Sequence, residues 1–127
     1  MNRELALKVV LVLVGLLFSA GIYPLTMSLW KMNESDYGDD MMLSLYVALG
    51  IFLLLAVRNP SANRSLIAFA AWSSFAHGAV MAVLAVHIAS ERISLLTAVA
   101  VLVIIGVALI ALAPAEQLGE RASAAGA

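Results

Sequence analysis

The sequence predicts an all-α fold: an integral membrane bundle of four transmembrane helices joined by short loops. Of its 127 residues, 64% are hydrophobic and only 12% are charged, and the mean hydropathy is +1.04. Soluble domains carry about 25% charged residues, so this chain lacks the polar surface that water requires. Helices are the expected spanning elements because lipid cannot satisfy an open sheet edge. We expect residues 1–127 to form a single transmembrane domain.

Four apolar stretches supply the predicted helices, each close to the roughly 20 residues that cross a hydrocarbon core of about 30 Å. Pro24, near the end of the first stretch, predicts a kink or an early end there, because proline removes a helical hydrogen bond. The first stretch also resembles a secretory signal, but we expect it to be retained as a transmembrane helix. The predicted helices cover residues 5–29, 41–57, 65–89 and 94–113, and a flexible C-terminal tail covers 114–127.

The distribution of basic residues predicts the orientation in the membrane. Lysine and arginine concentrate in cytoplasmic segments of membrane proteins. With the N-terminus inside, the outer loops hold only Lys31 and Arg92. The cytoplasmic segments then hold Arg3, Lys8, Arg58, Arg64 and Arg121. We therefore expect both termini to be cytoplasmic.

His77 is the main candidate for a functional residue, since it lies near the centre of the third predicted helix. An ionisable side chain at that depth is costly unless it has a partner, and it often marks a functional site. It could be a metal or haem ligand, a proton carrier, or an anchor for a hydrophobic ligand. The structural alternative is a neutral imidazole hydrogen-bonded across helices, worth about 0.6–2 kcal/mol. The candidate ligand-binding residues are His77, Ser73, Ser74, Trp72, Tyr46 and Met81.

Small residues recur at every fourth position of the same predicted helix. Such a ridge lets helix backbones approach closely, which is how membrane bundles gain packing contacts. Gly15 and Ser19 on the first helix and Gly106 on the fourth are the expected counterparts. The ridge consists of Ala70, Ser74, Gly78 and Ala82.

A weaker hypothesis places a metal site at the outer surface. His87 and Glu91 are one helical turn apart, a spacing that supplies half of a metal site. The acidic segment Asn33–Asp40 resembles part of a calcium loop but lacks its closing bidentate glutamate. The alternative is an interfacial histidine beside a loop whose acids cap a helix. The candidate ligands are His87, Glu91, Asp39 and Asp40.

Several function classes are disfavoured by what the sequence lacks. It has no cysteine, which excludes disulfides and thiolate chemistry. It shows no paired carboxylates in the predicted helices, no glycine-rich phosphate loop and no Ser/His/Asp set. With a net charge of −1 and no basic patch, no nucleic-acid partner is expected.

Three segments of the sequence match a known pattern: Tyr23–Trp30, Gly50–Ala56 leading to Arg58-Asn59-Pro60, and Ser74–Gly78. Together they resemble a family of small bacterial four-helix membrane proteins of unassigned function. The layout is more distantly similar to the DoxX-like group. The resemblance covers about half of the chain and implies a four-helix bundle in the bacterial inner membrane. It marks Pro24 and His77 as positions of interest and brings no substrate.

We therefore expect a small non-catalytic protein of the bacterial cytoplasmic (inner) membrane. Its partners would be the lipid bilayer and either further copies, in a homo-oligomer, or a larger membrane complex to which it is an accessory subunit. The alternative hypothesis is that the protein binds a hydrophobic cofactor or lipid, which His77 would anchor. A redox function is compatible with this alternative. No cofactor is required by the sequence. Haem, a quinone and a sterol-like lipid are the candidate ligands.

Overall fold

The computed structural model describes residues 2–31 and 37–114, and these form five α-helices that make four spans. Each span is long and apolar enough to cross a membrane, and no strand occurs in these two ranges. The predicted all-α four-helix fold is confirmed, and the four apolar spans indicate a multi-pass membrane protein. The helices are α1 (Arg3–Ser19), α2 (Ile22–Lys31), α3 (Tyr37–Ala56), α4 (Arg64–His87) and α5 (Arg92–Leu112), with 3₁₀ turns at Pro60–Asn63 and Ala89–Glu91.

The first span is divided into α1 and α2 one turn before Pro24. Proline has no N–H with which to bond the carbonyl of Ala20 four residues earlier. The N–H of Tyr23 bonds that carbonyl instead, at 3.2 Å. The helix is interrupted at Ala20 and Gly21 and resumes at Ile22. The interruption therefore lies three to four residues before Pro24, where the sequence predicted a kink or an early end.

The start of α3 lies at Tyr37, four residues before the predicted start. Asp39 and Asp40 consequently lie inside the first turn, where carboxylates interact favourably with the helix dipole. The hydroxyl of Ser28 on α2 donates to Oδ2 of Asp40 at 2.8 Å. This bond ties the end of the first span to the start of the second.

The predicted flexible tail, apart from Pro114, lies outside the described residues.

The helices are packed more tightly at one end of the bundle than at the other. We call the end with the first residues of α1 and α4 the Arg3 end, and the opposite end the Lys31 end. Helix α1 packs against α3 and α5, and α5 packs along α4, whereas α3 and α4 touch little. Most of the core lies in the half nearest the Arg3 end. The core residues are Leu7, Leu11, Val14, Phe18, Leu53, Ile67, Ala70, Ala71, Ile105 and Leu109.

Glycines allow two close helix contacts. A Cβ atom on Gly50 would lie 2.6 Å from the backbone nitrogen of Ser19 and 2.8 Å from the carbonyl oxygen of Gly15, so α1 and α3 touch through their backbones. Gly15 therefore faces α3 rather than the small residues of α4. On the other side of the bundle, the ring of Phe75 occupies the space beside Gly106.

Of the small-residue ridge on α4, Ala70, Ser74 and Gly78 are buried and Ala82 is half-buried. A Cβ atom on Gly78 would lie 3.7 Å from Cβ of Leu102 on α5. The ridge therefore lies along the contact between α4 and α5.

Arginine side chains cap the carboxyl ends of two helices. Nη2 of Arg3 donates to the carbonyls of Ala111 and Ala113 at 3.3 and 2.9 Å. At the Lys31 end, Nε of Arg92 donates to the carbonyl of Ala85 at 2.9 Å. The last carbonyls of a helix have no partner within the helix and carry partial negative charge. A cation is the appropriate partner for them.

We expect Arg3→Gln to lower the free energy of unfolding by up to about 1 kcal/mol, because a charged donor to the end of α5 is lost. Lys8→Gln is the matched control. Lys8 on the same helix pairs with Glu4 at 3.4 Å on the surface, and such pairs contribute little. Unfolding in mild detergent measures both variants. Equal stability of the two would show that the Arg3 cap contributes nothing.

Candidate functional site

A groove runs between α3 and α4, where these two helices separate. Its volume is about 580 Å³, within the range of small-molecule sites. The groove exists because α1 and α5 hold α3 and α4 apart while neither fills the space between them. Its lining is apolar except for three side chains. The lining residues are Met42, Leu45, Tyr46, Ala48, Leu49, Phe52, Leu66, Phe69, Ser73, Ala76, His77 and Val80.

A row of three aromatic rings crosses the bundle at the base of the groove. Phe18 on α1 meets Tyr46 on α3 edge-to-face, with ring centroids 4.9 Å apart. Tyr46 in turn meets His77 on α4 edge-to-face at 5.2 Å. Such ring pairs contribute about 0.5–1.5 kcal/mol each. The row fixes the positions of Tyr46 and His77 from three helices.

Tyr46 and His77 also border a second cavity of about 320 Å³ toward the Lys31 end. This cavity lies among the first span, α3, α4 and α5. The tyrosine and the histidine are thus shared between the two cavities. The remaining lining residues are Leu17, Phe18, Gly21, Leu43, Met81, Ala98, Val101, Leu102 and Ile105.

The polar atoms of Tyr46 and His77 are unpaired within residues 2–31 and 37–114. Neither the tyrosine hydroxyl nor an imidazole nitrogen makes a hydrogen bond there. The hydroxyls of Ser73 and Ser74 both donate to the carbonyl of Ala70, at 3.1 and 2.7 Å. The interhelical hydrogen bond that the structural alternative assigned to His77 is therefore not formed, and its contact with Tyr46 is between rings. Two half-buried polar groups face apolar cavities without a partner.

The two polar groups lie near the middle of α3 and α4. Tyr46 is nine residues from the start of α3, and His77 is ten residues from the end of α4. At 1.5 Å per residue these distances are about 14 and 15 Å. Both side chains therefore lie near the middle of their helices, which are long and apolar enough to cross a membrane.

Of the other predicted ligand-binding residues, one lines the groove, one lines the second cavity and two line neither. Ser73 lines the groove, and Met81 lines the second cavity. Ser74 is completely buried and lines neither cavity. Trp72 is 64% exposed and packs on Phe75 with ring centroids 5.6 Å apart, outside both cavities.

The four candidate metal ligands are not brought together as a set. His87 and Glu91 are exposed near the end of α4, while Asp39 is exposed and Asp40 half-buried at the start of α3. In the part of the chain that the structure describes, no group of three or more histidines and acids could hold a metal ion. Asp40 is already bonded to Ser28.

Two features of the site were not anticipated from the sequence. Phe18, the third ring of the row, has no signal in the sequence that separates it from other apolar residues of the first span. The open seam between α3 and α4 depends on how four helices pack, which a single sequence does not specify. Gly50 did carry a signal, since glycine in a spanning helix often marks a close helix contact.

Comparison with known proteins gives a family and no characterised relative. The family is described as a family of unknown function (DUF6632), and its match covers residues 3–125. This match bears out the predicted resemblance to a family without an assigned function, while the DoxX-like similarity and a bacterial source have no support in it. No curated protein and no solved structure matches the chain.

Proposed function

The chain belongs to the DUF6632 family, whose function is unknown, and we propose that it is a non-catalytic membrane protein that binds a hydrophobic ligand in the groove between α3 and α4. His77 and Tyr46 anchor the ligand. This proposal is the alternative hypothesis from the sequence. Ser73 also lines the groove, and Met81 lines the second cavity.

The unpaired polar groups at mid-depth are the observation that carries this proposal. Tyr46 and His77 are only half-buried in the protein, but the lipid chains that reach the groove offer no hydrogen bond. A donor or acceptor kept from water without a partner costs about 1–3 kcal/mol. A ligand with one polar group in the groove supplies the missing partner while its apolar part covers the apolar lining. The groove is open on the side away from the core, so a ligand dissolved in the bilayer can enter laterally.

Self-association is the second candidate, because the same open seam accepts a helix of another copy or of a larger complex. Small bundles bury additional surface in this way. A protein helix, however, leaves His77 and Tyr46 unpaired unless it brings its own polar residue. The ligand hypothesis accounts for these two side chains directly.

The distribution of basic residues supports a proposed orientation with the Arg3 end in the cytoplasm. Arg3, Lys8, Arg58 and Arg64 all lie toward that end, which agrees with the positive-inside rule. Together with the resemblance found in the sequence, this supports a bacterial cytoplasmic membrane as the location. A distant relation to the DoxX-like group stays part of this proposal.

We expect protein purified in mild detergent to retain a small hydrophobic molecule, and His77→Ala to lose it while the bundle stays folded. His87→Ala is the matched control, since that histidine is exposed at the end of the same helix. Native mass spectrometry with an absorption spectrum measures retention, and circular dichroism measures folding. A ligand-free wild-type oligomer would contradict the proposal and favour self-association.

A further inference from the structure

We propose that the groove selects an uncharged ring compound whose polar groups are carbonyl oxygens, the chemistry of a membrane quinone. This inference rests on the proposed function and names the ligand class. The juxtaposition that carries it is the Tyr46–His77 pair at mid-depth, in a lining that contains no charged residue.

Charge is the first criterion of selection. None of the residues that line the groove or the second cavity is Arg, Lys, Asp or Glu. A phospholipid headgroup, a fatty-acid carboxylate or the propionates of haem would therefore meet no opposite charge there. Moving an ion to the centre of a membrane is costly without such a partner. The lining is complementary to a neutral ligand.

Depth is the second criterion. Phospholipid and sterol headgroups are hydrated at the membrane surface, whereas Tyr46 and His77 lie about 14–15 Å from the helix ends at the Lys31 end, by the helical rise. A sterol bound at this pair would have to bury its hydroxyl. A quinone ring has no charge and no hydrogen-bond donor, so it is more easily placed at this depth.

Hydrogen-bond direction is the third criterion. The tyrosine hydroxyl and the imidazole N–H are donors, and both are unused within the two described ranges. The Ser73 hydroxyl already donates to its own helix. The site thus offers two donors that suit the acceptor-only oxygens of a quinone. Each group can also accept a hydrogen bond, so it is the depth of the pair that disfavours a sterol hydroxyl.

The shape of the groove gives a place for the side chain of such a lipid. Along α4 the groove extends from His77 toward Leu66, eleven residues nearer the Arg3 end, but only to Val80 in the other direction. Eleven residues of helix span about 16 Å. The ring therefore lies at the aromatic pair, and the apolar chain follows the seam toward Leu66 and Phe52.

The test uses the full chain, delipidated and placed in phosphatidylcholine nanodiscs, with decylubiquinone as the probe. We expect saturable binding of one quinone per chain, with cholesterol and oleate at least tenfold weaker. Tyr46→Phe keeps the ring contacts and removes one donor, so quinone affinity should fall about fivefold to tenfold. Circular dichroism and thermal unfolding check that this variant is folded.

The outcomes separate this inference from the proposed function. Quinone binding that is unchanged in Tyr46→Phe, or tighter binding of cholesterol or oleate, overturns the quinone assignment. If purified protein retains another lipid through His77 and decylubiquinone does not bind, the ligand class is wrong and the groove still binds a ligand. If nothing is retained and no probe binds, both proposals fail.

Discussion

Gly50→Ala is expected to destabilise the bundle by about 1–3 kcal/mol, the usual cost of inserting a methyl group into a filled contact. The new Cβ would meet the backbone nitrogen of Ser19 at 2.6 Å, the carbonyl of Gly15 at 2.8 Å and Cβ of Phe18 at 2.8 Å. Two of these atoms belong to the backbone, so α1 and α3 must move apart. This cost exceeds the roughly 0.5–1 kcal/mol that alanine gains over glycine in a helix.

Gly38→Ala is the matched control on the same helix. A Cβ there would have no atom of residues 2–31 or 37–114 within 4 Å, so the variant should be as stable as the wild type or up to about 1 kcal/mol more stable. Unfolding with increasing SDS in mild detergent compares the two. A Gly50→Ala variant as stable as Gly38→Ala would show that the crossing of α1 and α3 tolerates separation.

Gly50→Ala should also change the geometry of the candidate site. Phe18 lies at the crossing beside Gly50, and its ring contacts Tyr46. Separating α1 from α3 therefore shifts one end of the aromatic row. We infer that the close contact of two glycines at the α1–α3 crossing also positions the ring row in the groove.

The fold class follows from composition and the length of the apolar stretches, because a bilayer leaves few choices for 127 residues that are 64% hydrophobic. The four spans could be located for that reason. The packing of the spans against one another could not be predicted, because membrane helices present nearly uniform apolar faces. They lack the amphipathic stripe that orients helices in water. Gly15 was therefore expected to face α4, whereas it packs against α3.

The candidate site was predictable only through its most unusual residue. A histidine in the middle of an apolar helix is conspicuous, and Tyr46 was a reasonable neighbour. Trp72 lines neither cavity, because it precedes His77 by five residues, which turns it about 140° around the helix. The identity of the helices that flank His77 depends on tertiary packing, which a single sequence does not specify.

Ala76→Phe is expected to reduce ligand retention at least tenfold without changing the fold. Ala76 is exposed and lines the groove beside His77, so the added ring occupies the space of the ligand. The hydrogen-bonding groups of Tyr46 and His77 stay intact. A loss of ligand would therefore result from occupied volume rather than from a missing donor, and it would locate the ligand independently of His77→Ala.

Ala79→Phe controls for the larger side chain, because Ala79 is exposed on the same helix and lines neither cavity. Native mass spectrometry of both variants measures the bound small molecule and the number of chains together. If Ala76→Phe retains the ligand as Ala79→Phe does, the groove is not the binding site. If only Ala76→Phe loses chains from an oligomer while no small molecule was present in the wild type, the groove holds a helix. The two hypotheses for this family member therefore predict different losses from the same Ala76→Phe substitution: a small molecule in one case and a second chain in the other.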